Sequence, residues 1–253
     1  MKKTFLAFAC LVLAGCAAGP AIDNTYTSQN QESRVQFLVI HYTWSNFPNA
    51  LKELTVGNVS SHYLVRADPP VIYQLVDESK RAWHAGVSSW QGNTNLNSSS
   101  IGIEIDNAGD RDGGWAEYPP AQIDLVVALV KDIVKRHNIK PDRIVGHADI
   151  APQRKSDPGP RFPWKRLADE GLIKWPDANE VAKRQAGFAQ ELPDVEWFQR
   201  MLAKDGYAVP MNGELDEQTV RVLTVFQMKY RPAKFDGMPD AETAAILDVL
   251  VKP

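Results

Sequence analysis

Residues 100–107 read SIGIEIDN. Isoleucine recurs at 101, 103 and 105, and Gly102, Glu104 and Asp106 fall between. This period of two predicts a strand with one apolar face and one face that carries carboxylates. Further β-type runs surround it. VQFLVIHYT (35–43) is apolar and closes on His41, and RIVGH (143–147) closes on His147. SHYLVRA (61–67) and VIYQLVD (71–77) are split by Pro69-Pro70.

A helix is predicted after Pro119-Pro120. Ile123, Val126, Val127, Val130, Ile133 and Val134 recur at helical spacing, with Lys131, Asp132 and Lys135 on the other side. It ends near His137-Asn138, and Pro141 forbids continuation. His137 reads as a solvated residue favoured by the helix dipole. Strands interleaved with helices imply an α/β fold, a central mainly β-sheet with flanking helices.

The C-terminal part has three shorter helical patterns. DVEWFQRMLAKDGY (194–207) ends at the capping glycine Gly206, and DEQTVRVLTVFQMKY (216–230) and DAETAAILDVLV (240–251) start at Asp216 and Asp240 caps. They read as a small three-helix domain over 194–253, joined to a larger domain over 35–177 by a linker at 178–193.

The N-terminus MKKTFLAFACLVLAGC places two lysines before an apolar run too short to span a bilayer permanently. Small residues before Cys16 resemble a bacterial lipobox. The expectation is a signal peptide at 1–15, an acylated (palmitate-bearing) Cys16 and a polar tether over 16–34. Ala17, not Asp, follows the cysteine, which in that sorting pattern implies the outer membrane; the anchored domain is expected to face the periplasm. Of the two cysteines, Cys10 leaves with the signal, so the mature chain expects no disulfide. The formal charge is -3; losing Lys2 and Lys3 takes it to -5, which argues against nucleic acid as a partner.

His41 and His147 each close an apolar strand, at the sheet edge where chemistry collects. Asp157 follows His147 by ten residues, close enough for a loop to fold back. Two imidazoles and a carboxylate make a three-ligand set for one catalytic Zn2+ with an open fourth position. Glu104 could serve as general base beside it, or merely sit on the exposed face of a half-buried sheet.

FLVIHYTW (37–44), SSHYLVR (60–66), AWHAG (82–86), SIGIEIDN (100–107) and GHADIAPQRKSDPGPRFPW (146–164) occur in that order. Together they resemble the zinc-dependent N-acetylmuramoyl-L-alanine amidases of the type-2 amidase and peptidoglycan-recognition fold, over roughly residues 35 to 173. The lipobox and C-terminal domain make the enterobacterial outer-membrane lipoprotein type the closest match. The resemblance implies His41, His147 and Asp157 as zinc ligands, Glu104 as the catalytic glutamate and Lys155 as the lysine that assists the transition state. His62 and His84 match recurrent histidines that are not ligands, and with Trp83 they are candidates for the substrate cleft. Peptidoglycan and muropeptides are the implied partners, with no obligate protein partner evident. NGELDEQTVRVLTVFQ (212–227) resembles three-helix peptidoglycan-binding domains; a cap on the catalytic domain with no ligand of its own is the alternative. Two rival functions remain: a binding-only recognition protein, and a glycosidase using Glu104 and Asp106. Arg154 reads as a surface charge, because alternation along an extended chain points it away from Lys155.

Overall fold

The computed structural model describes residues 19–111 and 113–251, so the signal peptide and Cys16 lie outside the described residues. Residues 19–32 carry no helix or strand and belong to a unit separate from residues 33–253.

Within the larger unit the five runs form one sheet of strands β1 (Phe37–Tyr42), β2 (Tyr63–Arg66), β3 (Val71–Gln74), β4 (Ser100–Ile105) and β5 (Ile144–Gly146), ordered β3-β2-β4-β1-β5. The β3 edge pairs antiparallel and the other neighbours pair parallel. All six residues of β1 are buried, as a central parallel strand covered on both faces requires.

One face packs on helix α3 (Pro120–His137). Ile101, Ile103 and Ile105 are wholly buried there beside Ile123, Val126, Val130 and Ile133, each worth about 1.5–3 kcal/mol of burial. The helix starts with Pro120 in its first turn and ends at Asn138, which takes the left-handed conformation of a helix stop. His137 is not the solvated residue expected: its Nε2 lies 2.8 Å from Glu78 Oε2 and its Nδ1 2.8 Å from Ser33 Oγ.

Short helices α1 (Phe47–Val56) and α2 (Leu96–Ser99) lie between strands, and α4 (His147–Ile150) and α5 (Trp164–Asp169) follow β5. The stretch read as a linker instead forms helix α6 (Ala178–Phe188), capped by Asp177 and packed on α9 (Ala241–Val251). Helices α7 (Val195–Asp205) and α8 (Glu217–Tyr230) begin at Asp194 and Asp216, whose side chains accept from the backbone N–H of Trp197 and Thr219; Asp240 accepts likewise from Thr243 ahead of α9.

These C-terminal helices complete the other side of the sheet. Phe37, Val39 and Val145 share one core with Phe198, Leu202, Leu223 and Phe226. The bridge between them is Trp90 edge-on to Tyr207, ring centroids 4.8 Å apart. A buried polar anchor fixes the junction. Asp149, on α4, accepts from Lys229 Nζ at 2.8 Å, from the Tyr207 hydroxyl at 2.6 Å and from Gly146 N–H at 2.8 Å. Nearby, burial pushes the Asp205 carboxyl up to about 6, against the pull of Lys229.

Candidate metal centre

The sheet sets the site's first two groups side by side. His41 on β1 is in register with Glu104 on the adjacent parallel β4, and residues in register on neighbouring strands project to one face. His147 begins α4 directly after β5. The loop then returns Asp157 to it, with Ala148 N–H donating to the Asp157 carbonyl at 2.8 Å. Gly146 makes that return possible: a Cβ there would stand 2.7 Å from Pro158 Cδ.

The result is a tight triangle. His41 Nδ1 and His147 Nδ1 are 3.0 Å apart, and each lies 3.1 Å from Asp157 Oδ2. The three residues are 1%, 4% and 6% exposed. Burial works against the Asp157 charge, yet the His147 and His41 rings outweigh it and hold the carboxyl below its ordinary range. Burial, with His147 adding to it, drives His41 down to about 4 against the pull of Asp157.

The donor chemistry fits a metal. His147 Nε2 lies 3.2 Å from the Ala85 carbonyl, which can only accept, and 3.4 Å from Arg154 Nη2, whose two protons go to the carbonyls of Ala85 and Val87, so Nε2 carries the proton. In its neutral form the ring then aims its Nδ1 lone pair at a carboxylate oxygen, a repulsive contact that a cation between them relieves. Among the described residues, His41, His147 and Asp157 are the group able to hold a metal ion.

A cleft of about 460 Å³ opens on this triangle, with Trp44, Trp83, Glu104 and Lys155 in its wall. Glu104 also borders an adjoining cavity of about 360 Å³. Its Oε2 is buried without a hydrogen-bond partner. Burial and the Asp157 charge push the Glu104 carboxyl well above its usual range, and Lys155 pulls the other way. A half-buried carboxyl with one unpartnered oxygen and a raised pKa beside the triangle has the attributes of a proton-transfer group.

Other residues fall differently from the sequence reading. His62 does not reach the cleft. It is wholly buried, its Nδ1 accepts from Gly102 N–H at 3.0 Å, and its Nε2 faces the Lys80 carbonyl at 3.2 Å. His84 borders the cleft, but both its nitrogens are engaged, with His41 Nε2 at 3.0 Å and Ser100 Oγ at 3.1 Å. Trp83 remains as exposed wall, its ring covered by the Arg81 guanidinium at 3.9 Å. Asp106 is absent from that wall and accepts from Ala67 N–H at 3.3 Å, which separates it from Glu104.

Arg154 is not an idle surface charge. Its Nη2 donates to the Val87 carbonyl at 2.7 Å and also to that of Ala85. Alternation misplaced it because the backbone turns here: the N–H groups of Arg154 and Lys155 both bond Ala151 O. Tyr42 also escaped the sequence reading; its hydroxyl lies 2.9 Å from Ser156 Oγ, beside the metal loop.

A mixed sheet with a buried His, His, Asp triangle able to hold a metal ion and a free carboxyl in one cleft is the arrangement expected of a hydrolase site. The profile of the N-acetylmuramoyl-L-alanine amidase family matches residues 31–160, and one described as a peptidoglycan binding domain matches 191–247. The N-acetylmuramoyl-L-alanine amidase AmiD of Escherichia coli is 45% identical over 272 residues, spanning 100% of this chain and 98% of that protein. Its solved structure, in complex with the substrate anhydro-N-acetylmuramic acid-L-Ala-D-gamma-Glu-L-Lys, superposes with a TM-score of 0.82 at 45% identity over 90% of this chain and 93% of that one. AmpDh3 of Pseudomonas aeruginosa, in complex with anhydromuramic pentapeptide, gives 0.85 at 41% identity over 91% and 97%. The chain belongs to the N-acetylmuramoyl-L-alanine amidase family and is an amidase of the same type as AmiD.

Proposed function

We propose that this amidase uses one Zn2+ held by His41, His147 and Asp157 to hydrolyse the amide between N-acetylmuramic acid and L-alanine, in peptidoglycan or in released muropeptides. The observation that carries the reading is the buried triangle beside the unpartnered Glu104 oxygen. Bound there, zinc supplies Lewis-acid chemistry, polarising a carbonyl and activating water near neutral pH. Glu104 accepts the proton of the attacking water and delivers it to the departing L-alanine nitrogen, which an amide needs because an amine anion leaves poorly. Its raised pKa suits both halves of that transfer. Lys155, in the cleft wall, offers positive charge to the oxyanion that forms on the former carbonyl oxygen. The exposed face of Trp83 gives the same wall an apolar surface for a sugar or peptide. A glycosidase using Glu104 and Asp106 gains no support, since Asp106 is committed outside the cleft wall.

The reading extends to placement. An acylated Cys16 after signal removal would anchor the enzyme in the outer membrane, facing the periplasm, with residues 16–32 as tether, since Ser33 and Arg34 are bonded into the folded unit. More than one acyl chain makes such an anchor stable. Among the described residues no helix is long and apolar enough to cross a membrane. Helices α7–α9 would add affinity for the polymer.

Digestion of purified peptidoglycan with and without a chelator, followed by mass spectrometry, tests the chemistry. New L-alanine amino termini that vanish with chelator are expected. New reducing ends, or chelator-resistant cleavage, would refute it. Labelling with radioactive palmitate, lost in Cys16→Ala, tests the anchor.

A further inference from the structure

The segment Trp83–Gly86 touches both histidines of the triangle from behind. His41 Nε2 lies 3.0 Å from His84 Nδ1, and His147 Nε2 lies 3.2 Å from the Ala85 carbonyl. One short stretch therefore meets the distal nitrogen of each ring.

The hydrogen bonds around His84 have a direction. The Ser100 hydroxyl donates its only proton to the Leu96 carbonyl, which cannot donate back. Ser100 Oγ must then accept from His84 Nε2, 3.1 Å away. That fixes the proton of a neutral His84 on Nε2 and leaves a lone pair on Nδ1. His41 Nε2 must donate to that lone pair, so the His41 Nδ1 lone pair points into the triangle. The run from His41 through His84 and Ser100 to Leu96 O is thus one-way. It ends on the backbone just ahead of β4.

The segment is held to do this. His84 N–H and Ala85 N–H both donate to Asn97 Oδ1, at 3.0 and 2.8 Å. Arg154 clamps the carbonyls of Ala85 and Val87. Below the His84 ring lies Gly102, where a Cβ would stand 2.6 Å from Cγ of that ring. Only a bare backbone at that position of β4 lets the imidazole lie flat enough to reach His41. Both ring nitrogens of His84 are already partnered, so the ring has no free nitrogen for a substrate.

We propose that Trp83–Gly86 is a positioning strap for the metal centre, in which the His84 ring fixes the tautomer and orientation of His41 and the Ala85 carbonyl fixes those of His147. The inference rests on the reading of His41, His147 and Asp157 as metal ligands. His84 is a positioning residue: it acts through His41 and touches neither metal nor substrate. Partners of this kind are worth about 10–100-fold in metal affinity.

The test uses the full chain with 15N-labelled histidine, loaded with zinc. Long-range 1H–15N spectra are expected to find His41 and His84 both protonated at Nε2. His84 protonated at Nδ1 would overturn the proposal. Zinc affinity by chelator competition is the second readout. His84→Leu should weaken it by about 10–100-fold, while His84→Asn, whose Oδ1 can accept in place of Nδ1, should recover most of the loss. Equal zinc affinity in His84→Leu and wild type would overturn the proposal. Should His84→Leu not fold, Ser100→Ala and the wild-type spectra decide: loss of a single His84 tautomer in Ser100→Ala supports the strap, and unchanged spectra refute it. A wild-type chain that takes up no zinc refutes the functional reading as well, whereas zinc uptake and amidase activity with the opposite tautomers refute the strap alone.

Discussion

Lys229→Met removes the one cation from a buried anchor. Lys229 Nζ lies 2.8 Å from Asp149 Oδ2, with the side chains 6% and 3% exposed. Methionine keeps the length and apolar stem but not the charge. Asp149 would keep two of its three donors, the Tyr207 hydroxyl and Gly146 N–H. Breaking a buried pair costs about 3–5 kcal/mol because one charge is left uncompensated. With two neutral donors remaining, the lower figure, about 3 kcal/mol, is expected. The ammonium also sits 4.4 Å above the Trp164 ring, so some cation–π attraction is lost too. At a urea m-value of about 2–3 kcal/mol/M, the unfolding midpoint should fall by about 1–1.5 M. The double variant Asp149→Asn/Lys229→Met should recover part of the loss, since it leaves no bare charge. A Lys229→Met loss below about 1 kcal/mol, or a double variant no better than the single one, would refute the reasoning. Because Asp149 also holds Gly146, next to His147, the single variant should weaken zinc binding as well.

Three further outcomes are expected. Glu104→Gln should keep its zinc and lose about 10²–10⁴ in turnover, whereas His41→Ala and Asp157→Ala should lose zinc itself; metal analysis beside a muropeptide assay separates them. At Glu78, burial alone would raise the carboxyl, but Arg136, His137 and Tyr63 outweigh it and hold it down at about 2 from an ordinary 4.5. A depressed folded-state pKa contributes stability above 4.5 that is lost as pH falls toward 2, so Glu78→Gln should flatten the acid limb of the stability curve in that window, read as urea midpoint against pH. Deleting residues 194–253 should give an insoluble chain, because Phe37, Val39 and Val145 lose their cover; a soluble, zinc-binding truncation would show that the sheet half folds alone.

Much of the fold was legible because strands and helices are local patterns. The alternation of SIGIEIDN and the i, i+3, i+4 stripe of α3 each follow from backbone geometry over a few residues. All five strands and the three Asp-capped C-terminal helices lie within runs read from sequence. Helix α6 was missed because its sequence is polar and none of its residues is fully buried; its place is fixed by packing on α9 and by the Arg184–Asp248 ion pair. The C-terminal helices were legible as a domain of their own, and a peptidoglycan binding domain profile matches 191–247, but nothing local marks the core they share with the sheet. Only pairing between distant side chains, such as Trp90 with Tyr207, reveals it.

The sequence by itself determined the five strands, helix α3 and the three Asp-capped C-terminal helices, and through ordered motifs which chemistry to expect. It marked His41 and His147 as ligands and His62 and His84 as cleft candidates, but it could not say what meets their ring nitrogens. His41, His62 and His147 sit in or beside β-type runs, His84 lies in the loop between two of them, and their ring chemistry is identical. Tertiary structure separated them: register sets His41 beside Glu104, the Asp157 loop closes on His147, Gly102 N–H takes up His62, and Ser100 with His41 takes up His84. An imidazole's role depends on what meets its two nitrogens, and those partners lie up to 116 residues away in the chain. No local pattern carries that information. Packing of the whole sheet does.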